Sequence, residues 1–274
     1  MLDRPEWNAE QSERNQYVRF RADFTFDRFV PLPLDGSYRI LDYGCGLGHS
    51  LDAVLNRFPN AQFVAADYVS DALELCVQLF GADPRVQIVR MTGSTSLEEI
   101  GDGFDIILLN AVFEHLLPHE RPLLMSDLWR RLKPGGYMVV TETPWRWFPI
   151  ETHCTSLPLV NYLPDRLALA ALRRCGRYPV DTSMEHALRC GLRGGTVSEI
   201  IASLSAGEGA AQLVHATSED ARDLLESWWH GECRHTKAKQ LAYRVLRLTR
   251  NLTGVVISPW VNIVIRKSAV QPQQ

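Results

Sequence analysis

The stretch Ile40-Leu41-Asp42-Tyr43-Gly44-Cys45-Gly46-Leu47-Gly48 decides the fold. Apolar and aromatic positions around one acid run into a loop with glycine at every second residue. Leu51, Val54, Leu55 and Phe58 follow at helical spacing. The segment reads as strand, tight turn and helix. Glycine at this density lets the backbone take positive φ and lets a ligand approach with no Cβ in the way. The loop is therefore the first candidate binding element.

A dinucleotide is the first ligand to consider, with G-x-G-x-x-G/A opening the helix of a βαβ unit. Counting from Gly44 puts His49 at the third small position, and counting from Gly46 puts Leu51 there, so that pattern fails. About twenty residues on, Phe63-Val64-Ala65-Ala66 is a short apolar strand ending in Asp67. An acid at that strand tip is placed to accept the ribose hydroxyls of a nucleoside, with Tyr68 beside it for the adenine. Phe104-Asp105-Ile106-Ile107-Leu108-Leu109-Asn110 is a continuous buried-strand run, followed by Ala111-Val112-Phe113-Glu114-His115-Leu116. Leu132-Lys133-Pro134-Gly135-Gly136 ends a helix before proline, turns on two glycines and leads into Tyr137-Met138-Val139-Val140.

In order and spacing these four landmarks resemble the class I S-adenosylmethionine-dependent methyltransferases, in the small-molecule branch of methyltransferase type 11/23. The resemblance covers residues 38–142, with weaker continuity through 196–215 and 258–267. It implies S-adenosyl-L-methionine as cofactor. Asp42, Gly44, Cys45, Gly46 and Gly48 would frame its methionine part, and Asp67 its ribose. Tyr68, Gly93 and Ser94 would lie at the adenine, and Asn110 and Ala111 at the fourth strand tip. Many relatives carry an aspartate after the third strand, whereas Val89-Arg90-Met91-Thr92-Gly93-Ser94-Thr95 has no acid. Ser94 and neighbouring backbone are the expected substitutes. The implied fold is α/β: a Rossmann-like, doubly wound, seven-stranded sheet with its last strand antiparallel and helical lid insertions.

The residues arrange themselves accordingly. Strands are expected near 38–42, 62–66, 86–90, 104–109 and 136–142, with helices at 48–58, 70–80 and 119–132 between them, which is the alternation of a parallel sheet with right-handed crossovers. Residues 1–35 read as an amphipathic helical segment, packed on the core or gating the cofactor with Arg14, Tyr17 or Arg19. The core is expected over 36–143, 196–216 and 256–268, and substrate lid insertions over 144–195 and 217–255. Thr196-Val197-Ser198-Glu199 opens a helix in which Thr196 caps and Glu199 reaches back. A short strand over 212–215 and a final one over 261–265 complete the pattern, and the Gln-rich tail 271–274 is expected to be disordered.

At 274 residues, 46% of them hydrophobic, the chain can bury one large core with an elaborated lid. A net charge of −3 lacks the basic footprint of a protein that grips a phosphate backbone, so no nucleic acid is expected. No run of about twenty apolar residues is present to span a bilayer, and the N-terminus does not resemble a signal peptide; the cytoplasm is the expected location. The six cysteines form no C-x-x-C pair and read as reduced. His230, Cys233 and His235 are close in sequence but have no second ligand cluster, so no metal is expected.

A small-molecule or glycan acceptor is expected, methylated on a hydroxyl or carboxyl oxygen. Methyl transfer to a hydroxyl needs alignment and proton removal. His115, beyond the fourth strand, and His153, beyond the fifth with Glu142 and Glu151 nearby as candidate orienting carboxylates, are the candidate catalytic residues. The insertion 144–195 has seven arginines, four acids and no lysine, either a wet surface or a carboxylate- or phosphate-binding lid. Between Arg234 and Arg250 six bases interleave with Leu241, Val245 and Leu248. That helix packs on the core with a wet basic face, or meets a membrane or a lipid-linked substrate. Nitrogen or carbon methylation, and a regulatory module that binds the cofactor without transferring anything, remain open. A dehydrogenase is a more distant third reading.

Overall fold

The computed structural model describes residues 7–68, 70–92, 97–176, 178–179, 181–204, 209–216 and 218–268. The expected Gly93 and Ser94 contacts and the 271–274 tail lie outside these residues. In chain order the elements are α1 (Ala9–Phe29), β1 (Arg39–Tyr43), α2 (His49–Arg57), β2 (Gln62–Tyr68), α3 (Asp71–Phe80) and β3 (Val86–Met91). Then come α4 (Leu97–Ile100), β4 (Phe104–Asn110), α5 (Arg121–Arg131), β5 (Leu132–Pro144), α6 (Asp165–Arg174) and α7 (Met184–Arg189). The chain closes with α8 (Val197–Leu204), β6 (Ala211–Leu213), α9 (Leu224–His230), α10 (Lys237–Thr253) and β7 (Trp260–Lys267).

The strands form one seven-stranded sheet in the order β3-β2-β1-β4-β5-β7-β6, parallel from β3 to β5, with β7 antiparallel to both its neighbours. The central strands are continuous apolar runs because both sheet faces are covered. On one face Leu41, Ile107 and Leu109 pack with Met125, Leu128 and Trp129 of α5 and Ile200 and Leu204 of α8. On the other, Ile40, Phe63 and Ile106 meet Leu51, Val54 and Leu55 of α2 and Phe24 and Phe26 of α1. The order 3-2-1 on one side and 4-5 on the other makes the boundary between β1 and β4 a topological switch point, where a crevice opens beyond the carboxyl strand ends.

Two boundaries and one cap differ from expectation. β5 begins at Leu132 and ends at Pro144, because β4 pairs with it from Leu132 and β7 continues the ladder to Pro144. β6 ends at Leu213, two residues early, and the segment after it divides into a short 3-10 turn, α9 and α10. At α8, Thr196 caps the Glu199 amide at 3.1 Å as expected, but the Glu199 side chain does not reach back. It accepts instead from Arg121 Nη1 at 2.5 Å, because a buried guanidinium needs a carboxylate more than a solvated amide does. Residues 144–195 carry a small apolar cluster of their own around Val160, Ala168, Leu172 and Leu192. Their two ends are tied where Gly195 N donates to Pro144 O at 2.9 Å.

Candidate active site

The glycine loop is folded against the tip of β2. The amides of Gly44 and Cys45 both donate to Ala66 O, at 2.7 and 3.2 Å, and Gly48 N closes a tight turn on Cys45 O at 2.8 Å. Gly44, Gly46 and Gly48 all have positive φ (74, 51 and 84°), the reason this run cannot carry ordinary side chains. Two of them differ in surroundings. A Cβ on Gly44 would stand 2.5 Å from Val112 Cγ2, whereas one on Gly46 meets nothing within 4 Å. Gly44 is packed shut and Gly46 borders open space.

Asp67 ends β2 with Oδ2 accepting from Gly46 N at 2.6 Å and Oδ1 from Tyr68 N at 2.7 Å. Each oxygen keeps a further lone pair. Tyr68 is 56% exposed beside it. At the tip of β4, Thr141 Oγ1 donates to Asn110 Oδ1 at 3.0 Å, and Ala111 holds a φ of 54°. The loop, Asp67, Asn110 and Ala111 thus meet at the carboxyl ends of adjacent strands. Asp42 lies beneath, 2% exposed, with neither oxygen in a well-formed hydrogen bond among the described residues. Burial, and then repulsion from Asp67, push its carboxyl up to about 7, the Leu51 amide opposing the shift. A crevice with an open glycine, a strand-tip carboxylate and a buried acid beneath it fits a cationic nucleoside of the S-adenosylmethionine kind.

His115 and His153, distant in sequence, are brought together with ring centroids 5.3 Å apart. His115 Nδ1 lies 2.7 Å from the carbonyl of Arg189 at the end of α7. A carbonyl only accepts, so Nδ1 carries the proton and Nε2 presents a lone pair. That Nε2 is 3.8 Å from Glu114 Oε1. Burial holds both imidazoles below the ordinary histidine range, hence neutral, and pushes the Glu114 carboxyl up to about 8. Glu114 is fully buried; Oε2 accepts from Thr143 Oγ1 at 3.2 Å and Oε1 has no hydrogen-bond partner among the described residues. The ligand atoms of Glu114, His115 and His153 lie within 4.8 Å of one another, so these three could hold a metal ion. Sequence reading passed over Glu114; its position next to His115 was the available signal.

Other expected roles are corrected. Glu151 does not orient the His153 ring. Its carboxylate caps the backbone amides of His153, Cys154 and Thr155, since a buried acid is satisfied most cheaply by nearby N–H groups. Glu142 instead pairs with Arg14 and Arg21 of α1. Arg19 pairs with Asp52 and Tyr17 OH donates to Glu232, so all three proposed gate residues end on carboxylates of the protein itself. Within the arginine-rich insertion, Arg173, Arg189 and Arg193 are held by Thr182 O, Glu120 and Asp165. Arg177 lies outside the described residues.

Close to His153, whose ring stands 6.4 Å from that of Trp260, a cavity of about 760 Å³ opens between α1, residues 148–152, α9 and α10. Phe148, Ile150, Trp228 and Trp260 give it an apolar wall, while Arg14, Glu232 and Lys239 supply charge. Its size and lining suit a small organic molecule.

A family model described as a methyltransferase domain matches residues 41–138. The ubiquinone biosynthesis O-methyltransferase of Cereibacter sphaeroides (strain ATCC 17029 / ATH 2.4.9) is 31% identical over 178 residues, 58% of this chain and 68% of that one. The trans-aconitate 2-methyltransferase of Azoarcus sp. (strain BH72) is 30% identical over 139 residues, 50% of each chain. Among solved structures, PKMT2 from Rickettsia typhi superposes with a TM-score of 0.54 at 13% identity, over 93% of this chain and 54% of that one. The mitomycin 7-O-methyltransferase MmcR gives 0.51 at 15% identity, over 95% and 56%. The chain spans about half the length of the first curated relatives it matches. The crevice and sheet order define a nucleoside-binding, doubly wound α/β protein. This chain belongs to the class I S-adenosylmethionine-dependent methyltransferases, whose cosubstrate is S-adenosylmethionine.

Proposed function

We propose that this protein transfers a methyl group from S-adenosylmethionine to an oxygen of a small organic acceptor that reaches the paired histidines from the wide cavity, past Trp260. The insertions at 144–195 and 217–255 form its lid. The observation that carries the reading is the fixed tautomer of His115, which leaves an unprotonated Nε2 beside the second imidazole at the β4 tip. The bound cosubstrate supplies the electrophilic methyl carbon. Asp67 holds its ribose, the 44–48 loop its methionine part, and Asn110 and Ala111 the strand-tip side. His115 Nε2 takes the hydroxyl proton as the oxygen attacks, and His153 positions the acceptor. The Cereibacter relative, named as an O-methyltransferase, supports oxygen over nitrogen or carbon.

Incorporation of tritiated methyl into a metabolite extract tests the transfer. Binding of S-adenosylmethionine without incorporation would favour a non-catalytic module. With an acceptor in hand, His115→Ala is expected to lower kcat by about a hundred- to ten-thousand-fold with little change in cosubstrate affinity. Unchanged turnover would remove His115 as the base.

A second reading rests on the convergence of Glu114, His115 and His153. A divalent cation on those three atoms would acidify the acceptor in place of an imidazole. Under the base reading EDTA leaves turnover intact; loss of turnover restored by Mn²⁺ selects the cation.

Asp42 adds a pH dependence. S-adenosylmethionine brings a sulfonium and an ammonium, and a cation near Asp42 favours its ionised form. Affinity is therefore expected to be full above pH about 7 and to weaken as pH falls through it. Titration calorimetry across that range checks this, and Asp42→Asn should flatten the profile.

A further inference from the structure

Helix α10 turns an apolar side away from the protein, against the expectation that Leu241, Val245 and Leu248 pack inward. Tyr243, Leu246 and Arg250 face in, with Tyr243 OH on Glu226 at 2.7 Å and its ring stacked on Trp229. The inward face is chosen by buried acids. Lys239 answers Glu232, and Arg250 answers Asp223 and Glu226. At about 100° per residue, Leu241, Val245, Leu248 and Leu252 then fall in one stripe on the opposite side. They are 65, 54, 58 and 77% exposed.

The helix carries five bases and no acid, in a chain whose net charge is −3. Lys237 and Arg244 are exposed and border the stripe, and Arg247, also exposed, lies further round with its guanidinium 5.9 Å over the Tyr243 ring. We propose that α10 docks on an anionic lipid bilayer, its leucines in the acyl boundary and those three bases against headgroup phosphates. A second copy of the chain is a poorer occupant, because α10 against α10 would set Arg244 and Arg247 against a helix with no acid to receive them.

Ala238, Lys239 and Ala242, on an adjoining face of the same helix, line the wide cavity. Docking therefore holds that cavity beside the bilayer. Resting on the transferase reading above, the acceptor class is a hydroxyl compound dissolved in lipid.

Flotation of the purified chain with vesicles tests the docking. Binding is expected to phosphatidylcholine mixed with phosphatidylglycerol, weakly to phosphatidylcholine alone, and less at high salt. Leu248→Ser with Leu252→Ser should lower binding roughly a hundredfold, and Arg244→Glu with Arg247→Glu roughly thirty-fold or more. All four positions are exposed, and unchanged melting confirms that the variants fold. Equal binding to both vesicle types, or variants that bind like wild type, overturns the proposal. So does self-association in ultracentrifugation that the leucine changes abolish. For the acceptor, vesicles containing a bacterial lipid extract are incubated with tritiated donor, and label is expected in the organic phase. Label confined to water-soluble compounds overturns the acceptor class and leaves docking standing. Transfer to neither counts against the transferase reading instead.

Discussion

Asp67→Ala is expected to abolish measurable binding of S-adenosylmethionine. Hydrogen bonds to a charged acceptor are worth about 1.5–3 kcal/mol each, so losing two to the ribose costs roughly 3–6 kcal/mol, or about a hundred- to ten-thousand-fold in affinity. The substitution also removes the acceptor that holds Gly46 N at 2.6 Å, loosening the loop at the one glycine that borders open space. Asp67→Asn keeps the shape and one acceptor oxygen, and is expected to fall between. His115→Ala and His153→Ala should leave affinity nearly intact, since their rings meet each other, Glu114 and Trp260 rather than the loop. Titration calorimetry of the four variants separates the roles. Wild-type affinity in Asp67→Ala would sink the assignment of the crevice.

Arg21→Met is expected to produce the largest loss of stability. Arg21 is 4% exposed, donating from Nη1 to Glu142 at 2.9 Å and from Nη2 to Glu232 at 3.1 Å. Burial lowers the guanidinium's affinity for its proton, and the two carboxylates oppose that shift. Removing one partner of a buried ion cluster costs about 3–5 kcal/mol because the other charges stay buried and unpaired. Arg14 and Lys239 still reach Glu142 and Glu232, so the lower end of the range applies. At roughly 2–4 °C per kcal/mol for a chain of this size, Tm falls by roughly 6–12 °C. Arg21→Lys, which keeps charge but not the two-armed reach, should recover part of it. A melt superimposable on wild type would show that the cluster contributes nothing. The cluster joins α1, the end of β5 and the turn before α10, so cavity and fold are stabilised by the same charges.

The proposed cofactor half of the site is legible because it is written in backbone. Positive φ at Gly44, Gly46 and Gly48, an apolar strand ending in Asp67 and another ending in Asn110 are local patterns, and parallel strands deliver their tips to one edge whatever packs around them. The proposed acceptor half was legible only in part. His115 and His153 were named, but their neighbours were misread. Glu151 satisfies amides of its own turn and Glu142 is drawn to α1, because a buried carboxylate takes whichever donor folding brings nearest. In α10 the apolar periodicity was real, and of its two readings the core-packed one fails, because Leu241, Val245 and Leu248 face out. Both sides of that helix carry apolar residues, and the buried acids Glu226 and Glu232 decide which side faces in.

From the sequence alone came the doubly wound sheet, the glycine loop with its strand-tip acid, and membership of a family that uses a sulfonium nucleoside. Each rests on dihedral and periodic preferences spanning a few residues. Tertiary structure alone decided the meeting of Glu114 and His115 with His153, the charge cluster about Arg21 and the outward turn of Leu241, Val245, Leu248 and Leu252. These depend on side chains far apart in the chain whose burial forces them to find partners, and no local pattern records which partner will be nearest.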